Sequence, residues 1–496
     1  MSIHQSGFTA QWNIGAGFVA ITAYVLAIDV SFAPQNTGSG LGFGDSSDAT
    51  FSLDIDPNPA GQPPLSLATL ALVPIRVQFT LDSGTAYGCA GVVLSWEQTA
   101  DTISLKCTGF KELVSKTRFY SPLLINRPVA TKTTASSIED PTNGAWAAGL
   151  MNLALWGAGG RPFEQAGTYP SATFYYSLAQ APIAPTFSWA AGEDTWAECI
   201  RMVRAVGGQL FQRPDGVIRF ASPLSVAGGS SLFALDSSAY AEISRSGSAE
   251  DVVASFTTTY LPRVIAGMQE VVSDTTPHVI AVGKSATIEL ELQYPIPTDG
   301  TGLETVSMAG TQLIADAISA TSYDGTAILQ GTGYTHTLTI SAQRVVIVVT
   351  NAGSLPFVIE KITLRGTPVV PTEAGTMTIG SGNPTQTIEQ SAYIQSRSHA
   401  QRLARMALAF YGVPRPIIQA RGCLYDPVNH QIGNAGTLTQ SDWSLSSAPV
   451  VILGVSVGDT GVSADLDLVE TTGLPALADY FLVQTGAQVA TKRIGY

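Results

Sequence analysis

The sequence predicts a mainly β protein of the α+β type, with several β-barrel or β-sandwich domains, a helix–hairpin module and one long helix. Three observations lead to this fold class. Short segments that alternate apolar and polar residues recur along most of the 496-residue chain, two segments carry a strong helical repeat, and charged residues make up only 13% of the chain. Such alternation is typical of strands with one buried face, and soluble proteins usually have about 25% charged residues.

The domain organisation follows from length and pattern, because roughly 100–200 residues per domain predicts about three or four domains. The patterns divide the chain into four parts: an N-terminal β-barrel-like domain at 1–125, an α+β domain with the helix–hairpin at 126–226, a β-rich domain that could contain an inserted β-sandwich at 227–395, and a helix with a C-terminal β-domain at 396–496. The segment at 371–387 is rich in Gly, Thr and Pro and is interpreted as a linker or a long loop.

Strands are predicted wherever apolar and polar residues alternate between turn signals. The best candidates lie at 24–33, 50–55, 73–81, 88–96, 102–110, 287–293, 335–341, 344–350, 357–365 and 462–469. The turn residues at 351–354 separate two of these strands and predict a hairpin between them. A further apolar run at 14–30 is long enough for a membrane-spanning helix, but it contains two glycines and Asp29 and has no basic flank. A buried pair of strands explains this run better, so no membrane-spanning segment is predicted.

Two segments predict helices. In the first, Thr195 and Glu198 form a capping-box pattern ahead of an apolar face, and Gly207 ends the helix before a hairpin at 209–221. The second helix covers 396–411, with Arg397 and Arg405 on a face separate from its apolar residues. His399 on this helix is expected at the surface or at an interface. A shorter helix of small residues is predicted at 145–156.

Charge and motif content exclude several classes of function. The net charge is −13 without a basic block, so no specific nucleic-acid binding is predicted. The five histidines (His4, His278, His336, His399 and His430) and the four cysteines have no spacing that a metal site needs. Cys89 and Cys107 lie on predicted neighbouring strands, where they could form a disulfide or remain two buried thiols.

We interpret the carboxylate pairs and the aromatic residues as structural, and not as a catalytic or sugar-binding site. Asp54 with Asp56, and Asp465 with Asp467, are interpreted as solvated faces of strands. Six of the seven tryptophans could form a sugar-binding platform and are interpreted as packing residues; they are Trp96, Trp146, Trp156, Trp189, Trp196 and Trp443. We therefore predict no enzymatic activity, and no catalytic, cofactor-binding or metal-binding residues.

The order of these elements resembles the baseplate hub or tail-tip hub proteins of long-tailed bacteriophages, also called minor tail proteins. The stretches that carry the resemblance are 195–220 (TWAECIRMVRAVGGQLFQRPDGVIRF), 358–368 (VIEKITLRGTP) and 396–416 (SRSHAQRLARMALAFYGVPRP), together with 53–59 and 105–110. Such proteins often have a Gly-Asp turn where this sequence has Gly433 followed by Asn434.

The resemblance implies a structural protein of the virion, at the tail tip and assembled in the host cytoplasm. It implies a homo-oligomer, usually a trimer, in which two β-barrel-like domains per copy form a ring of pseudo-sixfold symmetry at the end of the tail tube. The implied partners are the distal tail or tail-tube protein ring, the tape-measure protein, and spike or tail-fibre proteins. On host attachment the ring contacts would rearrange and open the channel for DNA ejection.

Two other functions stay open. One is a carbohydrate-binding protein for receptor recognition, in which the strands of 262–370 form a lectin-like sandwich. The other is a β-rich glycan-degrading enzyme that uses Asp465 and Asp467. For assembly into a ring, Arg397 and Arg405 are the predicted contact residues, because their cationic side chains could meet carboxylates on a neighbouring acidic copy.

Overall fold

The structure is a computed structural model, and it confirms the mainly β fold class. It describes residues 5–13, 18–34, 44–45, 47–62, 71–81, 86–120, 125–126, 151, 154–162, 172–178, 187–188, 191–192, 194–213, 215–221, 231–247, 252–296, 318–322, 333–388, 391–426, 429–457 and 463–472. His4, Trp146 and Trp189 lie outside these residues, as do most of the predicted helix at 145–156 and part of the turn at 213–216.

The described residues of the N-terminal part form ten strands and one short helix. They are β1 (Gln5–Asn13), β2 (Phe18–Ala20), β3 (Val25–Pro34), β4 (Gly44–Asp45), β5 (Ser47–Ile55), β6 (Pro74–Leu81), β7 (Ala86–Gln98), β8 (Ile103–Thr108), α1 (Lys111–Ser115), β9 (Phe119–Tyr120) and β10 (Ile125–Asn126). The five strands predicted here are confirmed as β3, β5, β6, β7 and β8. The long strands pair antiparallel in the order β3-β5-β8-β7-β6-β1-β2.

This antiparallel sheet encloses its own apolar core, because alternate residues of each strand point inward. Leu53, Ile75 and Leu105 are fully buried within it. The described part of the apolar run at 14–30 forms β2, a 3-10 turn at Thr22–Tyr24 and the start of β3. The predicted buried pair of strands is wrong, because β2 pairs with β1 and β3 pairs with β5, and Val19 and Leu26 are exposed. Among the described residues, no helix has both the length and the apolar character needed to cross a membrane.

The next part of the chain contains the helix–hairpin. Its elements are β11 (Gly160–Pro162), β12 (Phe174–Leu178), β13 (Phe187–Ser188), β14 (Ala191–Gly192), α2 (Thr195–Val206), β15 (Gln209–Gln212) and β16 (Ile218–Ala221). Gly207 ends α2 with a φ of +70°, which a residue with a side chain rarely adopts. β15 and β16 pair antiparallel, which confirms the predicted helix and hairpin.

The predicted capping box at the start of α2 is wrong. The N-cap residue is Asp194, whose Oδ1 accepts a hydrogen bond from the backbone N–H of Ala197 across 2.9 Å. The Thr195 hydroxyl instead donates to the carbonyl oxygen of Thr117, and Glu198 points into the core. The sequence offers Asp194 and Thr195 as adjacent cap candidates, and the contact with Thr117 decides between them.

Between β16 and the long helix, the residues that the structure describes form fourteen further strands. They are β17 (Phe233–Leu235), β18 (Glu242–Ser246), β19 (Ser255–Tyr260), β20 (Arg263–Ile265), β21 (Gln269–Asp274), β22 (His278–Ile280), β23 (Ser285–Glu291), β24 (Ile318–Ser322), β25 (Tyr334–Ser341), β26 (Arg344–Asn351), β27 (Phe357–Gly366), β28 (Val369–Pro371), β29 (Gly375–Gly380) and β30 (Thr385–Ile388). Strands β21, β22, β24 and β27 form one sheet, and β23, β25 and β26 form another. The two sheets form a β-sandwich around one apolar core, whose residues lie between Val271 and Leu364 in the sequence.

The predicted hairpin across 351–354 is wrong, because β26 and β27 belong to different sheets of the sandwich. Asn351 is buried, and its Nδ2 donates to the carbonyl oxygens of Ile280 and Leu355, while its Oδ1 accepts from the backbone N–H of Gly353. These bonds satisfy the backbone where the chain crosses between sheets. A turn-rich segment looks the same in the sequence whether or not its two strands pair.

The predicted linker at 371–387 is also wrong. β29 pairs antiparallel with β19, and β30 pairs parallel with the same strand. In β29, half-buried residues alternate with exposed ones, and Met377 and Ile379 lie on the half-buried face. This alternation is short and is flanked by Gly and Pro residues, which are typical of loops.

The C-terminal part contains α3 (Arg397–Tyr411), β31 (Ile417–Leu424), β32 (Ala435–Gln440), β33 (Leu445–Val457) and β34 (Ser463–Glu470), and so confirms the predicted helix and the strand at 462–469. The strands pair in the order β18-β31-β34-β33, with β32 on β33 and β17 on β32. β33 also pairs with β3, through Ser456 opposite Ser31 and Val455 opposite Phe32. One thirteen-stranded sheet therefore joins the two ends of the chain.

Candidate assembly surface

The long helix α3 is amphipathic, and its apolar face is buried in the molecule. The face includes the four residues predicted from the sequence, namely Ala400, Leu403, Ala407 and Phe410. Ser396 is the N-cap, and its hydroxyl oxygen accepts a hydrogen bond from the backbone N–H of His399 across 3.2 Å. The cap and the buried face fix the rotation of the helix, and with it the direction of the opposite side chains.

The opposite side of α3 carries three arginines, Arg397, Arg402 and Arg405, which we call the arginine face. Arg397 and Arg405 are exposed and Arg402 is half-buried. The helix contains neither Asp nor Glu, so these charges have no partner within it. Among the described residues, neither the Arg397 nor the Arg405 side chain has an ion-pair or hydrogen-bond partner. Arg397 also lies in the first turn, where the helix dipole disfavours a cation.

His399 is not a surface or interface residue, so that expectation is wrong. Its ring is only 4% exposed, and Nε2 lies 2.7 Å from the carbonyl oxygen of Ala205 near the end of α2. Burial lowers the pKa of His399 to about 4, with a smaller contribution from Arg402, although the bond to Ala205 opposes the shift. The neutral ring therefore fastens α3 to α2 behind the arginine face.

A second buried contact links α2 to the segment that leads into α3. The hydroxyl of Tyr393 donates to Oε1 of Glu198, and Nη1 of Arg201 lies 2.8 Å from Oε2 of the same carboxylate. The Arg201 contact is an ion pair without hydrogen-bond geometry. Burial raises the pKa of Glu198, while the bond from Tyr393 and the charge of Arg201 lower it. No local pattern in the sequence marks Tyr393 as the partner of Glu198.

The other histidines serve local contacts. Nε2 of His278 lies 2.9 Å from Oδ2 of Asp274, and Nδ1 of His430 accepts the backbone N–H of Asp426. Burial lowers the pKa of His336. Within the described ranges, no cluster of three or more His, Cys, Asp or Glu side chains could hold a metal ion.

Of the four carboxylates singled out in the sequence, three bond to a neighbouring strand and Asp56 bonds within its own turn. Asp54 accepts from the hydroxyl of Ser104 across 2.6 Å, and Asp56 accepts from the backbone N–H of Asn58. Asp465 accepts from the backbone N–H of Gly422, and Asp467 accepts from Nε2 of Gln419. Each of these carboxylates therefore takes part in a contact between neighbouring strands or within a turn.

Four of these six tryptophans are described, and one of them is exposed at the surface. Trp196 is buried in α2, whereas Trp96 is 45% exposed near the end of β7. It belongs to a segment, residues 94–101, in which every residue is exposed and which ends β7 and begins the turn to β8. We call this segment the hairpin tip. It contains Leu94, which is 53% exposed, and the carboxylates of Glu97 and Asp101.

Comparisons with known proteins give similarity to solved structures only. No protein-family model matches the sequence. No curated protein matches it either. A tail protein from Neisseria meningitidis superposes with a TM-score of 0.43 and 9% identity, covering 94% of this chain and 98% of that one.

Two prophage tail proteins are similar to the same extent. The 43 kDa tail protein of prophage MuSo2 from Shewanella oneidensis has a TM-score of 0.42 and 9% identity, covering 94% of this chain and 98% of its own. The prophage tail protein gp18 from Listeria monocytogenes has a TM-score of 0.39 and 7% identity, covering 95% and 97%. With TM-scores and identities this low, the similarity by itself identifies neither the family nor the function of this chain.

Proposed function

We propose that this chain is a non-enzymatic structural protein of a phage tail tip or baseplate hub, and that it forms a ring at the end of the tail tube. The observation that carries the proposal is the pairing of β3 with β33, which joins the N-terminal and C-terminal β segments in one sheet. Each copy then supplies two laterally joined β-domains. Three copies would place six such domains around one axis.

The surface chemistry supports a protein that assembles with copies of itself. A closed ring needs head-to-tail contacts between two different surfaces of the same chain. The uncompensated arginine face of α3 is one surface suited to such a contact, because an otherwise acidic chain with a net charge of −13 offers carboxylates elsewhere. The low charge content of 13% also suits a protein that buries much of its surface between copies.

In this proposal the ring contacts the distal tail or tail-tube protein above and spike or tail-fibre proteins below. The tape-measure protein would end at its channel. Host attachment would shift the contacts between copies and open that channel for DNA ejection. The action of the protein is then a conformational change, and the chain needs no catalytic group for it.

The test is the mass and shape of the purified full-length protein. Native mass spectrometry should find three copies per particle, and negative-stain class averages should show a ring with a central opening and six similar densities. A particle that stays monomeric at every concentration, and also when mixed with tail-tube protein, would contradict the proposal.

Carbohydrate recognition is a second candidate function. The observation that favours it is that the strands β21–β27 form a sandwich with a core of its own. A glycan array with the full-length protein tests it. Specific binding that is lost when the sandwich is removed would establish a receptor-recognition function. Turnover of host polysaccharide that depends on Asp465 and Asp467 would instead establish the enzyme.

A further inference from the structure

We propose that the arginine face of α3 binds the hairpin tip of a second copy of this chain. This inference rests on the proposed ring and identifies the two surfaces that would meet in it. One surface is Arg397, Arg402 and Arg405 on α3. The other is residues 94–101, at the end of β7.

The hairpin tip extends past the ladder that holds the rest of β7. The pairing of β7 with β6 ends at Val92 opposite Pro74, whereas its pairing with β8 continues to Gln98 opposite Ile103. In the part of the chain that the structure describes, Ser95 to Gln98 therefore have a strand on one side only. Such an edge can contact another chain.

The composition of the tip is that of a contact surface. Leu94 and Trp96 expose 53% and 45% of their surface, although side chains of this size are usually buried. Glu97 and Asp101 are exposed beside them and form no ion pair with any other described residue. Tryptophan is among the residues that contribute most to binding when an interface covers them.

The arginine face complements this composition. Arg397 and Arg405 are exposed cations without a partner among the described residues, and Val413, just beyond the end of α3, is 54% exposed. Guanidinium groups can pair with the two carboxylates of the tip and can also stack on the ring of Trp96. Both surfaces thus contain an exposed apolar side chain as well as charged side chains, and the charges have opposite signs.

A second copy is the partner that these surfaces fit, because both lie on the same chain and differ from each other. A contact between two different surfaces repeats from copy to copy and closes into a ring when the rotation allows it. The carboxylates of the tip also account for the cation at the start of α3, where the helix dipole alone disfavours it.

Charge reversal and charge exchange test the contact. The variant Arg397→Glu with Arg405→Glu and the variant Glu97→Lys with Asp101→Lys should each place like charges together and raise the dissociation constant of the oligomer about tenfold or more. The chain with all four substitutions restores opposite charges between copies, so it should recover the assembly of the wild-type protein. Native mass spectrometry over a concentration series gives these constants.

A matched control accounts for added negative charge. Lys284→Glu with Lys361→Glu changes the net charge as much as the double arginine variant, but at exposed positions in the sandwich, and should leave assembly unchanged. Circular dichroism must show that every variant is folded. If both double variants assemble normally, or if the fourfold variant stays dissociated while folded, this contact is wrong and the ring remains. If the wild-type chain is itself monomeric, the ring fails and the contact fails with it.

Discussion

The hydroxyl of Tyr393 donates a hydrogen bond to Oε1 of Glu198 across 2.5 Å, and this bond ties α2 to the segment that leads into α3. Each of the two residues is only 4% exposed. Desolvation raises the pKa of Glu198, whereas the bond from Tyr393 and the charge of Arg201 lower it. The hydrogen bond therefore stabilises a carboxylate whose burial is unfavourable, at the contact between α2 and the segment before α3.

Tyr393→Phe should lower the free energy of unfolding by about 1.5–3 kcal/mol near neutral pH, because it removes a hydrogen bond to a buried charged group. The folded-state pKa of Glu198 lies above the unfolded value, so ionisation of Glu198 costs stability as the pH rises through the folded-state pKa. Without the Tyr393 hydroxyl, ionisation of Glu198 costs more stability. The stability lost on Tyr393→Phe should therefore be larger near neutral pH than in acid, and urea unfolding at neutral and acid pH measures it.

Tyr240→Phe is the control for this prediction, because the buried Tyr240 hydroxyl has no hydrogen-bond partner among the described residues. We expect a change within about 0.5 kcal/mol. A Tyr393→Phe loss of the same size at neutral and acid pH would contradict the coupling to Glu198.

Acid should weaken the attachment of α3 to α2 through His399. The pKa of His399 falls from 6.5 to about 4 on folding, so its contribution is present above pH 6.5 and is lost as the pH falls towards 4. The loss is on the order of 3 kcal/mol over that interval. His399→Gln keeps an N–H for the Ala205 carbonyl and should flatten this acid limb. Denaturant unfolding at several pH values measures it.

His278→Gln serves as the matched control for the acid limb, because the His278 side chain is 26% exposed and pairs with Asp274 in the sandwich. The His278→Gln variant should lose as much free energy of unfolding between neutral and acid pH as the wild-type protein loses. Protonation of Glu198 acts in the opposite direction, so Glu198→Gln should make the acid loss steeper. An acid limb that is the same in wild type and His399→Gln would show that another group causes it.

The elements that the sequence predicts well are those whose signals are local. The apolar repeat and the closing glycine define α2, and the repeat with its following prolines defines α3, without knowledge of any other segment. The partner of Glu198 lies 195 residues away, and its capping-box pattern fits the sequence as well as the true cap at Asp194 does. His399 looks like one more polar residue of α3 until Ala205 is placed against it.

Long-range pairing was the part that the sequence could not predict. The alternation predicts β3 but not β33, and nothing in Phe32 or Val455 shows that the two residues lie opposite each other. Asn351 marks a turn without showing that the chain changes sheets there. For the candidate assembly surface, the exposure of Arg397 and Arg405 was predictable from helical spacing. The exposed end of β7 was not, because alternation cannot show where a neighbouring strand stops.

The sandwich should be removable. The backbone N–H of Ala266 donates to the carbonyl oxygen of Pro368 across 2.8 Å, so the chain leaves and re-enters the rest of the molecule at one point. Replacing residues 267–367 with a short Gly-Ser linker should leave a folded chain of unchanged oligomeric state, because β20 still pairs with β28. Calorimetry of the wild type should show two unfolding transitions, of which the truncated chain retains one.

A point substitution within the sandwich assigns its transition. Asn351→Ala removes three hydrogen bonds at a buried position and should destabilise that transition by about 2–3 kcal/mol while leaving the other unchanged. A truncated chain that is unfolded, or an Asn351→Ala variant in which both transitions shift together, would show that the sandwich is not independent.

The four cysteines should all be thiols. Cys89, Cys107, Cys199 and Cys423 are free and buried, and burial raises the pKa of each, that of Cys423 to about 11. Cys89 lies opposite Val77 and Cys107 lies opposite Val93, so the two do not face each other across the sheet. Since the thiolate is the reactive form, the native protein should react slowly with Ellman's reagent. In denaturant without reductant four equivalents should react, and a value of two would establish the disulfide instead.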